Sequence, residues 1–482
     1  MWWQIRKKVH VSWFLAVASL GIIVGVAASQ YVTVFGTISW VFAGLGLLLH
    51  CLWSQRAYLF PLAFVAGGII GLWRGDIDQS YLAPYQHLIG HTVTVTGVVT
   101  EDVDIGKHNE RRIRLAVKSV DGNALPGTLW IGTSTQYDIM RSDIVTVSGK
   151  LDEGFGNFVA SMYRADVTKV QRAQPGDIAL GVRDYFADAV RLAIPDPEAA
   201  LGIGYLVGQR RALPPELDEA LQIAGLTHIV VASGYNLTIL VRLARRACMK
   251  ISRFTALAGA SGLIVSFIAI TGLSPSMSRA GLVAGLSLLA WYYGRKFHPL
   301  VLLPFAAAVT LLINPAFGWN DLGWQLSFAA FAGVLIVAPL AQAYFFGDEK
   351  PGTIRQILGE TIAAQLCTLP IILVAFGEFS NVAIIANMLV VPFVPLAMLL
   401  TFVAGIGALI APALALTVGW PATTLLHYMV TVAQHAAGLP WAQTQATIPL
   451  WGATVFYCAV AVGCWCMWRA TRFDMRRSTI VE

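Results

Sequence analysis

Apolar residues come in blocks along this chain. Between Val9 and Gln55 there is no Asp, Glu, Lys or Arg, and between Phe379 and Trp468 there is again none. A helix crosses a bilayer core in about 20 residues, so each run holds more than one crossing. The first run predicts helices over about Val11–Ala28 and Phe35–Trp53, and a third follows over about Ala57–Trp73, ending at Arg74-Gly-Asp76. The pattern then changes period. His91-Thr-Val-Thr-Val-Thr-Gly-Val-Val, Arg112-Ile-Arg-Leu-Ala-Val-Lys and Asp143-Ile-Val-Thr-Val-Ser-Gly-Lys alternate polar with apolar, β-branched positions, which predicts strands. Turn residues at Asp121-Gly-Asn and Gly154-Phe-Gly-Asn separate them. About five short strands over 87–172 fit a small barrel of the OB type, and a small sandwich fits the periodicity almost as well. Helical spacing returns over 176–227 with interleaved charges, as in interfacial helices.

From His228 the apolar pattern resumes. Segments are expected from Ile229 towards Arg242, over Phe254–Ser278, Arg279–Gly294, Pro299–Asn314, Leu322–Leu340 and Ile362–Phe376, then a Pro-broken pair around Val391-Pro-Phe-Val-Pro, an outer helix near Thr417–Ala437 and a last span near Leu450–Trp468. The fold class read from this is a polytopic α-helical membrane protein of roughly 10–12 membrane segments, counting half-helices, with an extracytoplasmic all-β, OB-like insert. Its parts are amino-terminal membrane helices (1–75), the β domain (87–172), amphipathic helices (176–227), a membrane body (228–468) and a tail (469–482).

Composition sharpens this picture. Of 482 residues 56% are hydrophobic and 12% charged, with a mean hydropathy of +0.65. That excludes an ordinary cytosolic protein and a disordered one. The net +6 hides two populations. Between Arg74 and Gln222 stand 20 acidic and 15 basic residues, a net −5, which leaves +11 elsewhere. Arg6, Lys7 and Lys8 precede the first span; Arg242, Arg245, Arg246, Lys250 and Arg253 form a second basic cluster, and Arg469, Arg472, Arg476 and Arg477 a third. The positive-inside rule therefore puts both termini in the cytoplasm and the insert and Glu378 outside. Of the 18 basic residues beyond 74–222, only Arg279 falls on the expected outer side. The six cysteines show neither disulfide nor zinc spacing. There is no Walker A loop and no metal-binding His pattern, so no cofactor, metal or catalytic residue is expected.

Polar side chains at membrane depth carry the candidate chemistry. His228, Ser233 and Asn236 would share one broad face of a continuous helix turning about 100° per residue. Such groups face protein or water rather than lipid; interhelical hydrogen bonding is the bland reading. Asp321, Gln325 and Ser327 stand at the mouth of a span, where Asp321 could cap its helix or pair with Arg279. Gln365 and Asn387 lie near Pro370 and Pro392, and broken helices at that depth can line a cavity. In the insert, Arg111, Arg112 and Arg114 with Trp130, Tyr137, Phe155, Phe158 and Tyr163 offer a basic–aromatic groove, although ten basic and ten acidic residues balance over 87–172.

Ala224-Gly-Leu-Thr-His228-Ile-Val-Val-Ala-Ser233-Gly resembles a signature of the ComEC-type competence family. So do Pro275-Ser-Met-Ser-Arg279-Ala, Asp321-Leu-Gly-Trp-Gln325-Leu-Ser327-Phe, and Gln365-Leu-Cys-Thr-Leu-Pro370 followed by Phe376-Gly-Glu-Phe-Ser380 and Ala386-Asn387. Their order and spacing match over about 176–468. Where the family commonly has Ser-Gly-x-His, this chain has Ser233-Gly-Tyr235-Asn236, so a second imidazole is missing there. It resembles a short form without the carboxy-terminal metallo-β-lactamase-like domain, which would leave strand degradation to a separate nuclease. The resemblance implies a channel, not an enzyme, that passes single-stranded DNA across the cell membrane during natural transformation. His228, Ser233, Asn236, Arg279, Asp321, Gln325, Ser327, Gln365 and Asn387 would line the path, and Arg111, Arg112 and Arg114 would bind DNA. A DNA receptor outside and an ATPase or single-strand-binding protein inside are the implied partners, beside the lipid bilayer. Two other readings stay open: a secondary transporter of a small anion, and an intramembrane hydrolase built on Ser233 and His228, which lacks a nucleophile elbow.

Overall fold

A computed structural model of the chain describes residues 8–32, 38–105, 110–135, 137–174, 176–208, 213–230, 234–272, 275–294, 298–318, 321–347, 349 and 351–474. Its helices in chain order are α1 (Val11–Ala28), α2 (Ser39–Ser54), α3 (Phe60–Gln86), α4 (Ile178–Ala193), α5 (Glu198–Val207), α6 (Pro215–Ile223), α7 (Thr227–Val230), α8 (Gly234–Cys248) and α9 (Arg253–Thr271). They continue as α10 (Pro275–Tyr292), α11 (Pro299–Ile313), α12 (Leu322–Ala332), α13 (Ala338–Phe346), α14 (Thr353–Ala375), α15 (Ala383–Val390), α16 (Val394–Ile410), α17 (Ala415–Ala437) and α18 (Leu450–Thr471). Among the described residues, seven stretches are long and apolar enough to cross a membrane: Val11–Ala28, Ala57–Gln86, Arg253–Thr271, Leu322–Phe346, Thr353–Ala375, Ala383–Ile410 and Leu450–Thr471. Ser39–Ser54, Glu198–Val207 and Pro299–Ile313 are shorter apolar helices. The chain is a polytopic helical membrane protein with a separate sheet. It divides into two units, Met1–Ile178 with Leu300–Gln325, and Ala179–Pro299 with Leu326–Glu482.

In the first unit α1 and α3 touch backbone to backbone. A Cβ on Gly67 would lie 1.9 Å from the Ala18 carbonyl oxygen, and one on Gly21 would lie 2.1 Å from that of Phe64. Without a hydrophobic drive between helices in lipid, such close packing is what holds them together. The third span does not end at Arg74 as expected. α3 runs on to Gln86, because Arg74 is absorbed: its Nε and Nη2 donate to the carbonyls of Leu312 and Ile313 at 2.8 and 2.9 Å. Those carbonyls close α11, where a cation suits the helix dipole.

The insert is an eight-stranded sheet: β1 (Thr92–Val99), β2 (Asp104–Ile105), β3 (Arg111–Val120), β4 (Thr128–Thr133), β5 (Ile144–Lys150), β6 (Asp152–Glu153), β7 (Ala160–Met162) and β8 (Asp166–Gln171). The pairing order is β6-β7-β4-β3-β1-β5-β8, with β2 on β3, and among the described residues only β4–β7 is parallel. The expected five strands undercount it, since β2, β6 and β7 are too short to show a period. Val93, Val95, Ile113, Leu115, Leu129, Ile131, Val145 and Val147 fill its own core, as the alternation requires.

In the second unit α5 is buried at all ten positions, packed among α16 and α17. Phe186 of α4 stacks near Phe402 of α16, with ring centres 6.0 Å apart. α15 and α16 are joined by a 3-10 turn at Val391–Phe393, which bears out the Pro-broken pair. Leu322–Phe346 carries a π-helical turn at Gly333–Val337, which periodicity cannot reveal. β9 (Glu378–Ser380) pairs with β10 (Gln443–Gln445) in a small ribbon beside α14.

Candidate functional site

His228 stands on α7 (Thr227–Val230) and Asn236 on α8 (Gly234–Cys248), while residues 231–233, Ser233 among them, lie outside the described residues. Asn236 is fully buried. Its Nδ2 donates to the carbonyls of Tyr205 and Ile229, both at 3.2 Å, and so ties α8 to the end of α5 and to α7. The His228 ring sits with Nδ1 3.1 Å from the Gly225 carbonyl. Gly225 has φ +70°, and a Cβ there would meet the Ala383 Cβ at 2.5 Å and the Ser380 Cβ at 3.6 Å. Only glycine allows that approach of the first motif to β9 and α15.

Arg279, expected to start its span, lies in the second turn of α10. Its Nη1 donates to the Ser327 carbonyl of α12 at 2.6 Å. Its guanidinium carbon stands 5.8 and 5.3 Å from the ring centres of Phe328 and Phe331. A Cβ on Gly234 would fall 3.1 Å from its Nη2, so the motif glycine leaves the seat that the guanidinium occupies. The Ser327 Oγ is 3.5 Å from that of Ser276. On the other side of the first motif, Gln365 Nε2 donates to the Ser380 carbonyl at 3.4 Å. Asn387, one turn into α15, is 6% exposed, and its Oδ1 has no hydrogen-bond partner among the described residues. Within the second unit, then, Arg279, Asn236, His228 and Gln365 form a chain of contacts through Gly234, Ile229, Gly225 and Ser380.

Asp321 and Gln325 belong to the first unit. Asp321 caps α12, accepting from the Trp324 amide at 2.7 Å. Burial pushes its carboxyl above the ordinary range, while the Trp324 amide and the charge of Arg114 pull it back. The basic group that its carboxylate senses is thus Arg114 of β3, and Arg279 is held by a carbonyl and two rings. Gln325 Nε2 donates to the Gly318 carbonyl at 3.4 Å.

On the β domain the three arginines are engaged. Arg111 donates to the Tyr137 carbonyl, Arg112 is 3.9 Å from Glu110, and Arg114 pairs with Glu101 and, at 3.8 Å, with Asp104. The aromatics are what the surface presents. Trp130 stands directly across from Arg114, and its ring centre is 5.6 Å from Phe155 and 5.1 Å from Tyr163. Phe155 and Tyr163 are 45% and 52% exposed, unusual for rings on a domain with a filled core. Sequence reasoning passed over Gly225, Ser380, Glu198 and His427. The glycine and serine stood inside quoted motifs; Glu198 and His427, 229 positions apart, gave no signal of their contact.

A family profile described as "Competence protein" matches residues 205–470. The ComE operon protein 3 of Bacillus subtilis (strain 168) is 27% identical over 231 residues, 47% of this chain and 29% of that protein. An uncharacterized protein of Aquifex aeolicus (strain VF5) is 24% identical over 193 residues, 40% of this chain and 44% of that one. The similarity thus spans less than half the length of either relative. No solved structure matches. The profile covers more than half of the chain and takes in the contact chain from α8 to α15, so this chain belongs to the competence protein family.

Proposed function

We propose that this chain is a conduit for DNA uptake, passing one strand across the cytoplasmic membrane during competence. Family membership over 205–470 is the observation that carries this reading. The contact chain through His228, Asn236, Arg279 and Gln365 supports it, because polar groups within an apolar helical body mark a transport path. Asn387, Ser327 and Ser233 belong to the same path, with Asp321 and Gln325 at its mouth. Both termini are cytoplasmic and the sheet lies outside, where a receptor delivers DNA; an ATPase or a strand-binding protein inside draws it onward. The chain acts as a channel, and a separate nuclease removes the other strand. Deleting the gene in a transformable host and following end-labelled DNA tests this. Label should stay outside and return to the cytoplasm, single-stranded, when the gene is restored; equal entry without the gene would refute the reading.

The β domain meets the strand through its rings rather than its arginines. Base stacking on aromatics is worth about 1–3 kcal/mol per base, while Arg112 and Arg114 already have carboxylate neighbours. Trp130→Ala with Tyr163→Ala should weaken oligonucleotide binding by the purified full chain by that amount per stack. Arg112→Ala should cost far less. Fluorescence anisotropy with labelled single strands decides; unchanged binding in the double variant would take this face off the path.

A further inference from the structure

α5 holds one charged side chain, Glu198, and it is 6% exposed. An ionisable group in a membrane body is costly to keep and marks function more often than structure. Its Oε1 lies 2.7 Å from Nδ1 of His427 on α17, whose side chain is 69% exposed. One end of this pair is in the core and the other is open to the surroundings. Among the neighbouring elements, α6, which packs on α17, carries Glu216, Asp218 and Glu219. α16 has no acidic, basic or histidine residue over Val394–Ile410. α17 adds His435, whose Nδ1 faces the Thr431 carbonyl, and α7 adds His228 on the Gly225 carbonyl. α9 carries only Arg253, at its first residue. Asp196 before α5 accepts from the Ala200 amide, and on α4 Arg183 pairs with Asp184 and Arg191 with Asp188.

We propose that Glu198 and His427 form a proton-binding site that couples proton entry to strand transport. This rests on the conduit reading above. His427 takes a proton from water on its Nε2 and becomes an imidazolium facing the Glu198 carboxylate. The Nδ1–H bond then breaks and an O–H bond forms on Glu198 Oε1. An imidazolium and a carboxylate become a neutral imidazole and a neutral acid, so charge balances and the core end loses its desolvation penalty.

Infrared difference spectra of the purified full chain on acidification test the site without DNA. A carboxylic-acid carbonyl band should appear, be lost in Glu198→Gln, and shift in His427→Gln. Glutamine at 198 keeps an oxygen for the Nδ1–H bond, and the histidine variant reports on the same band should the first not accumulate. A band unchanged in both variants would overturn the proposal. The transport arm measures labelled-DNA entry against external pH. Glu198→Gln should lose the wild-type pH dependence; a profile identical to wild type would overturn the coupling. If wild-type chain moves no DNA but keeps the Glu198 band, the conduit reading fails and the proton site stands.

Discussion

Arg279→Ala should abolish DNA uptake while the protein accumulates near its normal level. The guanidinium makes a charged hydrogen bond to the Ser327 carbonyl and lies against Phe328 and Phe331. A charged hydrogen bond contributes about 1.5–3 kcal/mol, and a cation on a ring about 0.5–2 kcal/mol. These neighbours are neutral, so alanine strands no opposite charge in the interior, which is the usual cause of severe destabilisation. On the proposed conduit reading, what is lost is the cation that would meet a polyanion. If phosphate attraction at this point supplies about 3 kcal/mol, uptake falls by about two orders of magnitude. Arg279→Lys should retain part of the activity, since an ammonium can reach the carbonyl but cannot spread over two rings. Transformation frequency and immunoblots of membrane fractions give the answer. Wild-type uptake by the alanine variant at normal abundance would remove Arg279 from the path.

Gly67→Leu should prevent the first unit from assembling. Its Cβ alone would be 1.9 Å from the Ala18 carbonyl oxygen, and neither backbone can yield without separating α1 from α3 along Gly21, Gly25 and Gly71. Association by close packing has no hydrophobic reserve in lipid to offset that separation. Little full-length protein should accumulate, and what remains should be cut readily by protease. Gly46→Leu in α2 is the control, since nothing stands within 4 Å of a Cβ there, and it should accumulate normally. Equal protein levels in the two variants would show that the α1–α3 contact is dispensable.

Much of this architecture was legible because lipid and water impose different periods. Charge-free runs gave α1, α17 and α18 to within a few residues and the break between α15 and α16, and period-two segments gave β1, β3 and β5. Where the reading slipped, a local rule gave way to a tertiary partner. Arg74 looked like the end of a span, yet the carbonyls closing α11 satisfy it within a continuing helix. For Arg279 and Asp321 no charge pattern foretold the Ser327 carbonyl, the two rings or the Trp324 amide that they meet. Nor did the alternation show that register places Asp104 across from Arg112, with Glu101 beside Arg114. The Glu198–His427 contact spans 229 positions, and no local pattern announces it.

The central claim is that a strand passes the Arg279 seat. A photo-crosslinking residue in place of Phe331, whose ring centre is 5.3 Å from that guanidinium, can be illuminated while labelled DNA enters competent cells. The account predicts a crosslink to single-stranded DNA at position 331, and none from the same group at Val455, an exposed position on α18. DNA reaching the cytoplasm with no crosslink at 331, or with equal yield at 455, would contradict it.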